Sequence, residues 1–291
     1  MNKEICSILW FYAISPIHAG SGASVATVDL PIQRERHTGY PHIQASGVKG
    51  AMRDHFRHYT EDNKDIDDKN LINKIFGSDE QDNWDNKKES LPGLISVSDA
   101  KLLAFPMRSN VAPFVWVTSP TILKRLSNDL EYIGLSKSFE DLNIEEDNAK
   151  IIKGDFDNNS RIILEDATVK VNEKLELKFL NGNFSQIERL LLISDDLFDY
   201  CVSSCTEIQT NIKIDSEKGT AKDGGLRYQE FLPSDSILYS VVYFSEKSNE
   251  LNAESIKNKL QNAINGFLQI GGDITLGKGI CKVDWIEGGA K

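Results

Sequence analysis

Residues 18–53 read HAGSGASVATVDLPIQRERHTGYPHIQASGVKGAMR, and what this stretch separates decides the fold. Before it, residues 5–14 (ICSILWFYAI) are apolar and β-prone, as in a strand covered on both faces, and Ser15-Pro16 ends the run. At its far end a helix is predicted over 47–58, capped by Ser46, because Val48, Met52 and Phe56 recur every four residues. Lys49, Arg53 and Arg57 form a second stripe one residue over. The glycine-punctuated loop between strand and helix is too long and polar for a plain connector, since such segments in compact domains are usually functional or disordered. It places one carboxylate, Asp29, between Val28 and Leu30-Pro31, followed by a basic cluster with Arg34 and Arg36. All five histidines lie between His18 and His58. We read the stretch as a nucleic-acid-contacting surface with a cleavage centre.

Working outward, residues 60–92 read as an acidic insertion with one short helix ending at Ile75-Phe76-Gly77. Strands are predicted at about 94–104 and 113–118, with prolines at 106, 113 and 120 as punctuation, and a helix starts at Ser119-Pro120. A second acidic insertion is placed at about 127–160, its part from 136 a polar, mobile loop. A helix is predicted over 184–200 with Ile187, Leu191 and Phe198 inward. Residues 206–233 alternate, break at a turn-prone centre from Glu217 to Gly225, and alternate again, as a hairpin projecting from the body does. Residues 237–244 form a buried strand and 253–267 an amphipathic helix, and GGDITLGKG leads into a closing strand, ICKVDWI. Stripped of insertions, the order is strand, helix, strand, twice over. We therefore expect one α+β domain over 1–291 with a modified ferredoxin-like fold, the arrangement of RNA-recognition domains.

Composition narrows the class. There is no run of 18 apolar residues and no charged-then-apolar leader, so neither a membrane span nor a secretory signal is expected. Cysteines 6, 201, 205 and 281 form no disulfide or zinc pattern, which suits a reducing cytoplasm. The net charge of −11 argues against a polyanionic partner only until its distribution is read. Residues 61–90 (ten acids, five lysines) and 127–160 (nine acids, three lysines) account for all of it. Residues 1–60 carry six basic side chains against four acidic, so a local basic groove fits the acidic total.

Two constellations invite phosphate. GGDITLGKG nearly matches a P-loop, but Gly279 stands where Ser or Thr holds magnesium, and we expect a helix before it and a strand after. Nucleotide hydrolysis is rejected. Gly271, Gly272, Gly277 and Gly279 still allow backbone N–H groups to approach RNA phosphate, with Lys278 adding charge; the plainer reading is a helix C-cap and a tight turn. Ser46 and Gly47 open a helix whose first N–H groups and dipole favour anions, and Lys49 and Arg53 lie on one face to grip adjacent phosphates; the plainer reading is a solvated basic stripe. Asp29 suits a metal ligand or proton acceptor, or else a turn cap ahead of Pro31. His18 alone reads as a packed histidine and Glu230 as an ordinary strand carboxylate.

The run Asp29 to Pro41 (DLPIQRERHTGYP), then Ser46 to Arg53 (SGVKGAMR), resembles the backbone subunits of type III-B (Cmr) CRISPR effector complexes. Gly224 to Pro233 (GGLRYQEFLP) and the glycine loop 271–279 add to the likeness; the loop is shared by the wider RAMP superfamily of RNA-binding proteins. The resemblance implies a hand-shaped fold with a thumb hairpin at about 206–233. It implies copies stacked in a helical filament on guide RNA with other subunits, and base displacement at regular intervals along a single-stranded RNA target. It places Asp29, His18 and Glu230 at the target-cleavage site and Lys49 and Arg53 on the guide-binding helix; in our reading of the chemistry Asp29 accepts the 2′-OH proton or holds Mg²⁺ or another divalent cation. This sequence departs from the pattern at Gln229, where many relatives carry a second carboxylate, and at Gln269-Ile270, where the fullest glycine motif starts earlier.

One carboxylate is too little for a two-metal nuclease. A splayed RNA backbone instead aligns a ribose 2′-OH for attack on its own phosphate, so RNA and not DNA is the expected substrate. The competing reading is a guide-binding filament subunit that does not cut. An unrelated small-molecule enzyme explains neither the basic helix nor the projecting hairpin.

Overall fold

A computed structural model of the chain describes residues 5–24, 27–62, 69–78, 92–135, 139–157, 160–177, 179–180, 184–246 and 252–288. Most of the acidic stretch 60–92 lies outside them, including 79–91. The strands are β1 Ile5–Ala13, β2 His42–Ile43, β3 Ile95–Val97, β4 Ala100–Arg108, β5 Phe114–Thr118, β6 Asn148–Lys153 and β7 Arg161–Leu164, then β8 Ala167–Lys174, β9 Leu190–Leu192, β10 Glu207–Ile214, β11 Ala221–Phe231, β12 Ile237–Phe244, β13 Gly266–Gln269 and β14 Ile280–Glu287. The helices are α1 Ala45–Asp62, α2 Lys69–Phe76, α3 Pro120–Tyr132, α4 Asp195–Ser204 and α5 Ala253–Ala263.

One mixed sheet holds the body together in the order β13-β14-β1-β12-β4-β5-β9-β6-β8-β7. Within it, β14-β1-β12-β4 are the fourth, first, third and second strands of a split βαβ unit, with α1 and α5 as its crossovers and touching each other. This is the ferredoxin-like core. β1 lies between β12 and β14, both antiparallel to it, and Ile8, Leu9, Trp10 and Phe11 are buried on both its faces. On α1, Val48, Met52 and Phe56 are wholly buried, as their spacing requires. Among the named strands β10 pairs with β11, in the hairpin expected as the thumb, turning at Asp215–Thr220. Among the described residues no helix is long and apolar enough to cross a membrane.

Four predicted elements differ. The helix expected over 184–200 is β9 followed by α4: the run Leu190–Ile193 is buried all round, a pattern shared by strands and buried helices. The true helix start is Ser194, whose hydroxyl accepts the Leu197 N–H. The helix over 253–267 stops at Ala263, because Asn265-Gly266 turns the chain at φ +94° into β13 and leaves Phe267 exposed. Of the stretch 127–160, residues up to Tyr132 belong to α3, and β6 sits between β9 and β8 inside the sheet. Its polarity misleads because buried Lys150 is ion-paired to Asp141 (3.2 Å) and Glu173 (3.0 Å). Finally, the strand over 94–104 is two strands, β3 and β4, the latter running to Arg108.

Candidate functional site

The loop 18–34 folds back on itself and then onto the base of the thumb. Gln33 N–H donates to Ala19 C=O (2.7 Å), Ser21 N–H to Pro31 C=O (3.0 Å) and Ser24 N–H to Asp29 C=O (2.9 Å), an antiparallel ribbon. Ile17 exchanges both backbone bonds with Leu232, and Leu30 lies parallel to Gln229, its N–H on Tyr228 C=O (3.1 Å) and its C=O receiving the Glu230 N–H (3.0 Å). The irregular loop thereby satisfies its backbone by extending the thumb sheet.

This docking brings the three residues expected at the cleavage site to one short segment of β11. The half-buried Asp29 carboxylate accepts the Tyr228 N–H at 2.7 Å through one oxygen. His18 Nδ1 lies 2.8 Å from the Glu230 carbonyl oxygen. A carbonyl only accepts, so Nδ1 donates to it, and Nε2 is left as the ring nitrogen that can exchange a proton. The His18 and Phe231 rings pack at 5.5 Å, and Lys278 Nζ sits 4.7 Å over the same Phe231 ring, putting a cation beside the site.

Glu230 is different in kind. It is buried, and its carboxylate accepts from Ile32 N–H (3.0 Å), Arg34 Nη2 (2.6 Å) and the Thr206 hydroxyl (2.8 Å). A carboxylate with three donors ties the loop to both thumb strands. Arg34, expected to contact RNA, spends its guanidinium on Glu230 and on the Gly39 and Val202 carbonyls (2.9 Å each). Arg36 is exposed. Beyond it, Glu35 is held by Arg125 of α3 (2.8 Å) and by the Thr38 hydroxyl (2.6 Å), which fixes the outer end of the loop.

The helix after the loop starts two residues earlier than expected, at Ala45, so Ser46 is an exposed first-turn residue and not the cap. Its N–H groups are largely taken: Ala45 donates to Asp99 (2.7 Å), and Gly47 and Val48 donate to Gln44 C=O (2.8 and 3.1 Å). The anion site expected there is therefore occupied in part by Asp99. The side chains of Lys49 and Arg53 carry the charge instead. Lys49 Nζ donates to Ile95 C=O (3.1 Å) and Arg53 to Asn73 (2.9 Å). Burial lowers the Lys49 pKa from the ordinary lysine value, and the Arg53 charge lowers it further.

The glycine loop joins two antiparallel strands, β13 and β14, rather than leaving a helix. Much of its glycine content has an internal reason. Gly279 has φ +73° and an added Cβ would lie 2.0 Å from Ile270 C=O; at Gly271 (φ +87°) it would lie 2.6 Å from His18 C=O. Gly272 donates its N–H to that His18 carbonyl (2.9 Å). Gly277 faces open space. The sequence reading missed Asp273, whose carboxylate receives the Gln229 amide, and Asp99; only the carboxylate inside a glycine-rich turn was a visible signal for the former.

Among the described residues no three His, Cys, Asp or Glu side chains converge as a metal site. Asp29 thus offers a divalent cation one carboxylate, already bonded through one oxygen, which does not make a protein-held centre.

Comparison with known proteins places this geometry. The RAMP superfamily profile matches residues 10–282. The chain is 35% identical over 288 residues to the "CRISPR system Cmr endoribonuclease Cmr4" of Pyrococcus furiosus, covering 95% of this chain and 94% of that one. Its fold superposes on a chain of the type III-B Cmr-beta complex bound to cognate target RNA (TM-score 0.76, 26% identity, 96% of each chain). It also superposes on oligomeric Cmr4 from P. furiosus (TM-score 0.70, 31% identity, 97% of this chain and 98% of that one). The chain belongs to the RAMP superfamily and, within it, to the Cmr4-type backbone subunits of type III-B CRISPR complexes.

Proposed function

We propose that the chain stacks with copies of itself along guide RNA in a cytoplasmic type III-B complex and cleaves complementary single-stranded target RNA at regular intervals, as antiviral defence. The relative named an endoribonuclease, the oligomeric crystal and the target-bound complex support this reading. The observation that carries the cleavage part is local. One three-residue segment of β11 holds both Asp29, through Tyr228 N–H, and His18, through Glu230 C=O.

The chemistry is in-line transesterification. Asp29 accepts the proton of the target ribose 2′-OH, O2′ bonds to the adjacent phosphorus, and the P–O5′ bond breaks. Protonated His18 gives the Nε2 proton to the departing O5′. The products end in a 2′,3′-cyclic phosphate and a 5′-hydroxyl. Glu230 takes no proton in this scheme; it holds Arg34, Ile32 and Thr206 so that loop and thumb move as one body. The Lys49 and Arg53 pair, with Lys278, supplies phosphate-neutralising charge. A divalent cation bound here would take one ligand from Asp29 and the remainder from RNA phosphate and water.

A guide-matched target with 2′-deoxyribose at the nucleotides preceding the cuts tests the scheme. It should bind as the all-RNA target does and stay intact at those positions. Cutting of the deoxy target at the all-RNA rate would overturn it.

A further inference from the structure

We infer that Asp273 is a positioning residue for RNA cleavage: by holding the Gln229 side chain, it fixes the segment of β11 that aims Asp29. The inference rests on the reading of Asp29 as the cleavage residue. Gln229 is 4% exposed, whereas the residues before it on β11, Leu226, Arg227 and Tyr228, are exposed. Its amide donates to Asp273 and its carbonyl accepts from Asn211 (3.4 Å), so the side chain is held at both ends. Its backbone is gripped as well, between Gln209 of β10 and Leu30 of the loop.

The neighbours of Gln229 are the two residues that hold the site. Tyr228 N–H is the one partner of the Asp29 carboxylate among the described residues, and Glu230 C=O receives His18. A shift of residue 229 therefore moves both groups. Asp273 stands in the left-handed region (φ +59°) and its side chain makes no cap to its own 3₁₀ turn, Ile274–Leu276. Its backbone C=O closes that turn by accepting Leu276 N–H (2.9 Å) and Lys278 N–H (3.2 Å). The carboxylate is thus left to reach across to the thumb. Gly272, the preceding residue, donates its N–H to the His18 carbonyl, so adjacent residues of the glycine loop hold the ribbon at His18 and β11 at Gln229.

The test uses the assembled, guide-loaded complex and single-turnover cleavage at saturating target. Asp273→Gly keeps the positive φ and removes the carboxylate. Since a misplacement of about 1 Å costs up to roughly 10²-fold, the rate should fall ~10- to 100-fold, with guide affinity and filament length unchanged. Asp273→Asn, which keeps an acceptor without the charge, should lie between. Gln229→Glu alone sets two carboxylates against each other and should be slow. Combining it with Asp273→Asn rebuilds an amide–carboxylate pair with donor and acceptor exchanged, and should restore the rate to within about threefold of the wild type. Wild-type cleavage by Asp273→Gly beside an inactive Asp29→Ala complex overturns this inference alone. So does a double variant no faster than its slower parent, or guide affinity falling in step with rate. An active Asp29→Ala complex overturns the reading beneath it, whatever Asp273 does.

Discussion

Replacing Glu230 by Gln removes one charge and one acceptor from a buried group and changes nothing else in size. The carboxylate now accepts three donors, from Ile32, Arg34 and Thr206. The best amide rotamer keeps its oxygen towards Arg34 and Thr206 and turns its NH₂ on the Ile32 N–H, donor against donor. A buried N–H left unpaired costs about 1–3 kcal/mol. The charge lost opposite Arg34, whose side chain is 24% exposed, adds about 1 kcal/mol once solvent screening is counted. The variant should be less stable by about 2–4 kcal/mol, which lowers the thermal midpoint of a chain this long by roughly 3–7 °C. Urea denaturation of the isolated chain with thermal scans measures it. A cycle with Arg34→Gln should show coupling of about 1 kcal/mol or more. An unchanged midpoint together with lost cleavage would refute the reasoning and make Glu230 a reacting group.

The remaining expectations follow from the charged surface and the thumb. Lys49→Ala with Arg53→Ala should weaken guide binding and flatten the plot of log affinity against log salt by about 0.7–0.9 for each phosphate no longer neutralised, as read by filter binding over a salt series; an unchanged slope places the guide elsewhere. Replacing Asp215–Thr220 by Asn-Gly should leave the body folded, because Ile214 and Ala221 are already a register pair and a two-residue turn spans it. Circular dichroism checks the fold and sizing of the cut products checks the thumb, whose shortening should alter where target is cut; unaltered cut positions would count against its role.

The ferredoxin-like core and the hairpin beside it were legible because their signals are local: the apolar run of β1, the four-residue spacing on α1 and the alternation of β10 and β11 each need only their own residues. Elements failed where burial is two-sided or charge is internally paired. Leu190–Ile193 carries no period to separate strand from helix, and Lys150 made a sheet strand look like a surface loop. The candidate site residues stand out by residue type and by resemblance, but the contacts each one makes do not. Arg34 and Glu230 sit 196 positions apart, and no sequence pattern shows that each satisfies the other. Shorter separations hid Asp273, 44 positions from its partner Gln229, and Asp99, 54 positions from the helix terminus that the sequence assigns to Ser46.

Single-turnover cleavage of a guide-matched RNA by the complex carrying Asp29→Ala tests the account most directly. The substitution removes the proton acceptor and no phosphate-neutralising charge, so guide and target should bind as tightly as before or slightly tighter. Loss of a positioned acid–base group costs about 10²- to 10⁴-fold in rate, and the measured cleavage should fall by that much at every cut position. Cleavage at the wild-type rate would contradict the assignment of Asp29, and loss of target binding in the same variant would make it a residue that holds the loop rather than one that cuts.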